Sequence, residues 1–131
     1  MRYIEGTIPS TQRDLRSTII WTLMRAISRD FPESCGHDFD GAYYVLERGV
    51  ENLRKRFGDA KADQLLDMIG QAKKHHEAND KLGSRLLQDV EMVVADRQPY
   101  AYPKELYRWP LDPSLPELSE EDFLKSEKKA G

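Results

Sequence analysis

The chain has 131 residues, of which 39% are hydrophobic and 33% charged, and these values fit one domain with a modest core. Its formal net charge of −3 is spread evenly, since residues 1–97 hold 15 basic and 16 acidic side chains and residues 98–131 hold 5 basic and 7 acidic ones. A broad phosphate-binding face is therefore disfavoured. The single cysteine, Cys35, excludes an intramolecular disulfide and fits a reducing compartment.

The first helix is predicted after Pro9, where Ser10 or Thr11 can cap its start. Apolar residues then recur every four positions as far as Phe31, and Pro32 ends the pattern. The stripe consists of Leu15, Ile19, Leu23, Ile27 and Phe31, widened by Ile20 and Met24. So wide an apolar face predicts a helix that packs against more than one neighbour.

The second helix is predicted to begin after Asp38, which can act as its N-cap, and to end at Gly58, which suits a left-handed stop. Between these residues, apolar side chains follow in alternating steps of four and three, the spacing of a seam that helices bury against each other. The seam consists of Phe39, Tyr43, Leu46, Val50, Leu53 and Phe57. We therefore predict one continuous helix over residues 39–57.

Residues 60–97 allow two interpretations. A polar run, Lys73–Lys81, separates two apolar stripes, so a turn near Asn79-Asp80 would give an antiparallel pair of helices. A single long rod is also compatible with the pattern, because one side of a continuous helical wheel would hold Leu65, Ile69, Ala72, Gly83, Leu87, Val90 and Val94. The stripes are Leu65, Ile69, Ala72 and His76, then Leu82, Leu86, Leu87, Val90, Val93 and Val94. We favour the pair, because globular helices typically have about 8–20 residues.

The C-terminal part of the chain cannot form a long regular element. Five of the seven prolines follow Gln98, and none lies between Glu33 and Gln98. Each proline removes a backbone donor and restrains the residue before it. We therefore predict a helical core over residues 1–98 and an extended tail over residues 99–131, whose last residues are expected to be disordered.

These patterns together predict an all-α fold, a small bundle of three to four helices with the Pro- and aromatic-rich C-terminal segment packed across it. No segment alternates convincingly with period two, so no sheet is expected. Residues 1–6 lack the apolar core of a signal peptide, and no apolar run approaches the roughly 18 residues that span a bilayer. We therefore expect a cytoplasmic protein that does not enter the membrane.

Histidines and acids define an alternative hypothesis, a small metal-dependent hydrolase. His75 and His76 are adjacent, and adjacent residues on a helix point about 100° apart rather than at one ion. His76 and Asp80 have a suitable spacing if the helix continues, and Cys35 and His37 could complete a ligand set across the fold. No catalytic, cofactor or metal motif is complete in the sequence, so we predict no catalytic residue, no cofactor and no resident metal.

Basic residues define a third hypothesis, nucleic-acid binding. The run of Arg54, Lys55 and Arg56 together with Lys73-Lys74 could contact phosphates, and small helical domains bind DNA in helix-turn-helix proteins. Because the chain is net acidic, we expect nucleic acid to be disfavoured as a partner.

Aromatic residues carry the leading hypothesis. Three tyrosines and one tryptophan lie in the tail, and Trp21 lies just off the apolar stripe of the first helix. Such side chains combine a large contact area with a polar group and often anchor interfaces, although the tail could instead cover the chain's own helices. We predict a non-catalytic interaction module, a small adaptor, inhibitor or regulatory partner, that binds another protein or itself. Its predicted binding residues are Trp21, Tyr100, Tyr102, Tyr107 and Trp109, and self-association could also use the 39–57 seam or the 82–94 stripe.

Overall fold

The computed structural model describes residues 1–26, 30–97 and 99–102, and in them it contains five packed α-helices and no strand. The helices are α1 (Gln12–Ala26), α2 (Phe39–Asn52), α3 (Arg54–Phe57), α4 (Asp59–Glu77) and α5 (Leu82–Val94). The predicted all-α class is therefore confirmed for this part of the chain. The predicted number of three to four helices is too low, because the predicted second helix is divided into α2 and α3. None of the helices in these ranges combines the length and the hydropathy needed to cross a bilayer. The predictions for residues 103–131 lie outside the described residues.

Helix α1 begins where the sequence predicts but is shorter. Oγ1 of Thr11 accepts a hydrogen bond from the amide of Asp14 at 3.1 Å and so caps the helix. The described helix ends at Ala26, and Asp30 and Phe31 already lie outside it. The prediction that the helix reaches Phe31 is therefore wrong, because the proline that follows disfavours a helical conformation in the residue before it.

The predicted apolar stripe of α1 is also too wide. Ile20 and Met24 are 48% and 74% exposed. The buried face follows the 3.6-residue period and consists of Leu15, Ile19, Thr22 and Ala26. This face packs against α2 and α5, and it leaves Ile20 and Met24 on the outer side of the helix.

The predicted second helix is interrupted. Oδ1 of Asp38 accepts the amide of Gly41 at 2.7 Å, so the predicted N-cap is confirmed. At Leu53 the backbone leaves the α conformation, and its amide is shared between the carbonyls of Gly49 and Val50 at 3.2 and 3.1 Å. The single helix over residues 39–57 is therefore wrong, since this tight turn separates α2 from α3. The stop at residue 58 is confirmed by a glycine φ of 85°.

Helices α4 and α5 form the antiparallel pair that the sequence favours, and the single rod is excluded. The turn between them contains Asn79 with φ 56°, a conformation that asparagine tolerates better than most residues. Asp80 closes the turn, because its carboxylate accepts the amide of Leu82 at 3.0 Å and contacts Nδ1 of His75 at 2.8 Å.

The core lies between α1, α2, α4 and α5. Helix α4 packs on α5 and α2, and α1 packs on α5 and α2. Most of the 39–57 seam and of the 82–94 stripe is buried in this core. Neither stripe is therefore an exposed surface, and self-association through either would require the core to open.

The first residues of the tail are attached to the bundle by Asp89, which is 1% exposed. Its Oδ1 accepts the amide of Tyr100 at 2.7 Å, and its Oδ2 accepts the amides of Ala101 and Tyr102 at 2.7 and 2.8 Å. The side chain of Tyr102 is buried, and its hydroxyl donates to the carboxylate of Asp67. The described part of the tail thus packs across α5 and α4.

Candidate binding site

The N-terminal segment is joined to the start of α2 by two hydrogen bonds between Arg2 and Asp38. The amide of Arg2 donates to Oδ2 of Asp38 at 2.9 Å, and the amide of Asp38 donates to the carbonyl oxygen of Arg2 at 3.0 Å. The two segments lie so close that a Cβ added to Gly41 would overlap the carbonyl of Arg2. Tyr3 packs on Tyr44 with ring centroids 4.8 Å apart. The segment is thereby held against the bundle, where it forms one wall of a cavity.

This cavity lies between the N-terminal segment, α1, the loop before α2 and α2 itself, and its volume is about 410 Å³. Small-molecule sites in proteins span about 300–1,000 Å³. The described lining contains no Asp, Glu, Lys or Arg. It includes Thr7, Ser17, Trp21, Thr22, Cys35 and His37. The cavity therefore suits a neutral group.

Among the described residues of the cavity wall, two have a buried polar atom without a hydrogen-bond partner: Oγ1 of Thr22 and Nδ1 of His37. A buried polar group without a partner costs about 1–3 kcal/mol, and such groups are few in native proteins. Both residues line the same cavity, so its wall carries two buried polar groups without partners.

The hydrogen bonds around Thr7 determine the tautomer of His37. The Thr7 hydroxyl donates its one proton to the carbonyl oxygen of Ile4 at 2.6 Å. Its oxygen can then only accept from Nε2 of His37, 3.4 Å away. This contact favours the neutral tautomer in which Nε2 carries the proton and Nδ1 is an acceptor.

The imidazole of His37 is held neutral by its surroundings. Burial lowers the pKa of His37, the Asp38 carboxylate opposes this shift, and the Arg2 guanidinium adds to it. Because the folded-state pKa lies below 6.5, the unfolded chain takes up the proton first as the pH falls. The stability that the neutral ring contributes is thus fully present above pH 6.5 and is lost as the pH falls through the folded-state pKa.

We expect an NMR titration of the imidazole carbon shifts to place the pKa of folded His37 below 6.5. A His37 ring that titrates at or above 6.5 would contradict the lowering of its pKa by burial.

We expect Thr22→Val to raise the free energy of unfolding by about 1 kcal/mol, because valine has nearly the same shape and removes a buried hydroxyl that has no partner. Thr18→Val, in the same cavity wall, is the matched control. The Thr18 hydroxyl donates to the carbonyl of Asp14 at 2.8 Å, so its removal is expected to be neutral or destabilising. Urea denaturation of both variants makes the comparison, and a loss of stability in Thr22→Val would show that its hydroxyl is satisfied.

Trp21 and His37, which line the cavity, belong to a cluster of aromatic rings whose other members lie outside the described lining. Trp21 meets His37 edge to face with ring centroids 5.6 Å apart, and it meets Phe31 in the same way at 6.0 Å. Phe31 in turn contacts Phe39 at 6.3 Å. Edge-to-face packing is an arrangement that aromatic pairs favour. The wall therefore suits a further ring.

Exposed apolar side chains adjoin the cavity. Ile20 and Met24 follow the lining residues Ser17 and Trp21 by three positions each, so they are their neighbours on the surface of α1. Ile4 lines the cavity and is itself about half exposed. Clustered exposed apolar area around a cavity is typical of an interaction site.

Comparison with known proteins found no match, so the function must be argued from the geometry of the site. No protein-family model, curated protein or solved structure matches this chain. The cavity, its two buried polar atoms and its apolar rim are therefore the observations from which function is argued.

The five residues predicted for binding occupy different places. Trp21 lines the cavity. Tyr100 is 41% exposed, whereas Tyr102 is buried against the chain's own helices. Tyr107 and Trp109 lie outside the described residues. Trp21 is thus placed at the cavity by the described structure. Its role in binding stays a prediction.

Sequence reasoning gave no role to Thr22 and placed His37 only in the metal hypothesis. A signal for Thr22 existed, because it follows Ile19 by three residues and therefore falls on the buried face of α1, where an unpaired hydroxyl is costly. No local pattern identifies His37 as a cavity residue, since Thr7 and Trp21, which contact it, are distant in the sequence.

The four residues of the metal hypothesis do not come together. His76 is buried, and its ring nitrogens face the hydroxyl of Tyr43 and, at 3.1 Å, Oγ of Ser84. Asp80 contacts His75 instead, while the other two residues line the cavity. Across the described part of the chain, no group of three His, Cys, Asp or Glu side chains is placed to hold a metal ion.

Several of the basic residues considered for phosphate contact are paired with acids. Lys73 lies 3.2 Å from the carboxylate of Asp40. Arg54 forms ion pairs at 2.8 to 3.1 Å with the carboxylates of Glu51, Asp59 and Asp63. Such pairing weakens the attraction of these cations to phosphates, so the nucleic-acid hypothesis gains no support here.

Proposed function

We propose that this chain is a non-catalytic interaction module, a small adaptor, inhibitor or regulatory partner, that takes up a side chain of another protein in the cavity beside α1. The observation that carries the proposal is the cavity itself, about 410 Å³ in volume, with two buried polar atoms that lack partners. The cytoplasmic location expected from the sequence belongs to the same proposal.

The surroundings of the cavity support a protein as the partner. Protein interfaces combine a well-packed anchor in a pocket with a surrounding ring of contacts that exclude water. Here the exposed side chains of Ile4, Ile20 and Met24 would supply that ring around an anchor placed against Trp21. Apolar contact area of this kind contributes to affinity as it is removed from water.

The geometry of the thiol supports binding rather than catalysis. An activated cysteine needs a base within hydrogen-bond reach of its sulfur. Sγ of Cys35 instead donates to the backbone carbonyl of His37 at 3.4 Å, and the imidazole of His37 faces Thr7 through Nε2. The described lining therefore presents no nucleophile paired with a base.

The test is selection of displayed random peptides on the wild-type chain, with counter-selection on Ser17→Phe. Ser17 is exposed and lines the cavity, so phenylalanine there is expected to block the entrance without disturbing the core. Gln88→Phe, at an exposed position of α5, is the matched control for added surface hydrophobicity. We expect enriched peptides to bind the wild type and Gln88→Phe equally and to lose at least about tenfold in affinity for Ser17→Phe, which is the effect of about 1.4 kcal/mol.

Two outcomes would contradict the proposal. One is the absence of any peptide that distinguishes the wild type from Ser17→Phe. The other is a wild-type dimer, measured by sedimentation, that Ser17→Phe abolishes, because the occupant of the cavity would then be a second copy of this chain.

A further inference from the structure

We infer that the partner's anchor in the cavity is a pair of uncharged, apolar side chains, drawn from leucine, isoleucine, phenylalanine and methionine. The inference rests on the proposed function and specifies its ligand. It depends on three properties of the cavity, which are its charge, the hydrogen bonds that its wall already makes, and its volume.

The charge of the wall is the first constraint on the anchor. The described lining contains no Asp, Glu, Lys or Arg, so a charged side chain that left water would find no ion partner there. The imidazole of His37 does not supply one at neutral pH, because burial lowers its pKa. Burial of a charge without a partner is strongly unfavourable. An anchor that carries a carboxylate, an ammonium group or a phosphate is therefore excluded.

The hydrogen bonds within the wall are the second constraint. The hydroxyls of Thr7 and Thr18 donate their protons to backbone carbonyls of the chain at 2.6 and 2.8 Å, and the thiol of Cys35 does the same at 3.4 Å. The unpartnered polar atoms of Thr22 and His37 are buried and lie out of reach of the open space. A polar anchor would give up its hydrogen bonds to water and obtain no proton from these residues, whereas an apolar anchor loses nothing.

The volume of the cavity is the third constraint. An apolar cavity of about 150 Å³ is large enough to bind benzene, and the volume here is about 410 Å³. The space thus exceeds twice what one six-membered ring needs, and a single leucine or phenylalanine would leave much of it empty. Because apolar space without atoms forfeits van der Waals contacts, two side chains fill the cavity better than one.

Apolar side chains supply the contact surface for such a pair. Ile4, Trp21 and Val45 line the cavity, and the exposed Ile20 and Met24 continue this surface along α1. Removal of the exposed apolar area from water favours association, and the unbranched side chain of Met24 can adapt its shape to a partner. Two adjacent apolar residues of a partner would therefore meet apolar groups inside the cavity and at its rim.

The test of the site uses the full chain and four small probes, which are toluene, phenol, naphthalene and benzoate. Relative to toluene, phenol carries a hydroxyl in place of the methyl group, benzoate carries a carboxylate, and naphthalene has a second ring. Binding is followed by NMR titration, and protection of Cys35, the single cysteine, from alkylation places a probe in the cavity. Each titration is repeated on Ser17→Phe, which blocks the entrance, and on its control Gln88→Phe.

We expect toluene to bind the wild type and Gln88→Phe with protection of Cys35, and to lose at least about tenfold in affinity for Ser17→Phe. Phenol is expected to bind about tenfold more weakly than toluene, because its hydroxyl loses water without a replacement, and benzoate is expected not to bind. Naphthalene is expected to bind at least about tenfold more tightly than toluene, because the cavity has room for its second ring.

Three outcomes of these titrations would overturn the inference. Phenol or benzoate that binds as tightly as toluene would show that the cavity accepts a polar ligand. Naphthalene that binds no better than toluene would show that the space holds one ring and not two side chains. Failure of every probe to protect Cys35 in the wild type would show that the cavity is not an apolar site, and this result decides the question if Ser17→Phe does not fold.

The peptides enriched in the selection on the wild-type chain test the pair in the partner. We expect each peptide to depend on two apolar residues, and replacement of either by alanine is expected to weaken binding about ten- to a hundredfold. Enriched peptides that depend on one residue alone, or on a polar or charged one, would sustain the proposed function and overturn the inference.

Two further results would overturn the protein partner instead. Probe affinities in the expected order with no enriched peptide would leave an apolar site for small molecules. A rise in toluene affinity in the Tyr107→Ala, Trp109→Ala double variant would identify the chain's own tail as the occupant, against the assignment to a partner.

Discussion

Gly41→Ala is expected to lower the free energy of unfolding by about 2–4 kcal/mol, among the larger effects of a single substitution. A Cβ at this position would overlap the carbonyl oxygen of Arg2. Backbone atoms cannot move aside as the end of a side chain can, so the N-terminal segment must leave the start of α2. The reciprocal hydrogen bonds between Arg2 and Asp38 would then be lost, and the cavity would lose the wall that contains Ile4 and Thr7.

The matched control is Gly70→Ala, the same substitution at a helical position where a Cβ meets nothing within 4 Å. There we expect the free energy of unfolding to rise by about 0.5–1 kcal/mol, because alanine loses less backbone entropy on entering a helix than glycine does. Urea denaturation measures both effects, and alkylation of Cys35 is expected to accelerate in Gly41→Ala alone. Equal stability changes in the two variants would contradict the close approach of the N-terminal segment.

Asp89→Ala is expected to lower the free energy of unfolding by about 3 kcal/mol. Each hydrogen bond to a charged group contributes about 1.5–3 kcal/mol, and part of this is recovered because the freed amides then bond to water. The Asp89 carboxylate accepts three backbone amides, those of Tyr100, Ala101 and Tyr102. Without it the segment is expected to detach, and the buried ring of Tyr102 loses its attachment at the same time.

The neighbouring Gln88→Ala, at an exposed position, is the control and is expected to change stability by less than about 0.5 kcal/mol. Proteolysis after Tyr100, which detachment would make more accessible, is expected to accelerate in Asp89→Ala and not in the control. If Asp89→Ala is as stable as Gln88→Ala, the three amide bonds do not hold the tail.

The pH dependence of the same pair of variants follows from the burial of Asp89. Burial raises the pKa of Asp89 from 3.8 to about 6, although the three amide bonds lower it. Between pH 3.8 and about 6, Asp89 therefore keeps its proton in the folded state but has released it in the unfolded state. The free energy of unfolding consequently falls as the pH rises through this range. The stability difference between Gln88→Ala and Asp89→Ala is thus expected to be larger at the lower pH, and a difference that grows with pH would contradict the sign of the shift.

The local features of the fold were predictable because they depend on neighbouring residues alone. Asp38 caps α2 through an amide three residues away, and Gly58 ends α3 with a positive φ. The turn at Asn79-Asp80 separates α4 from α5 because a polar run there cannot be buried between them. Each of these choices is made by side-chain chemistry within a few positions of the sequence.

The candidate site was largely beyond prediction. Trp21 stood out by its size and by its place beside the stripe of α1, and it does line the cavity. The tautomer of His37 depends on Thr7, thirty residues earlier, and on the carbonyl of Ile4 that Thr7 bonds. No periodicity connects these residues, since their proximity follows from the attachment of the N-terminal segment to Asp38.

Composition, apolar spacing and turn residues by themselves determined that this chain forms helices, where most of them begin, and that α4 and α5 form a pair. These choices follow from short-range hydrogen bonding and from the helical period. Only the tertiary structure decided that Ile20 and Met24 stay in water and that Asp89 holds the start of the tail. It also decided that a cavity lies beside Trp21 and that polar atoms in its wall lack a hydrogen-bond partner. These features arise where segments distant in sequence meet, and which polar atoms lack partners is known only once every neighbour is in place.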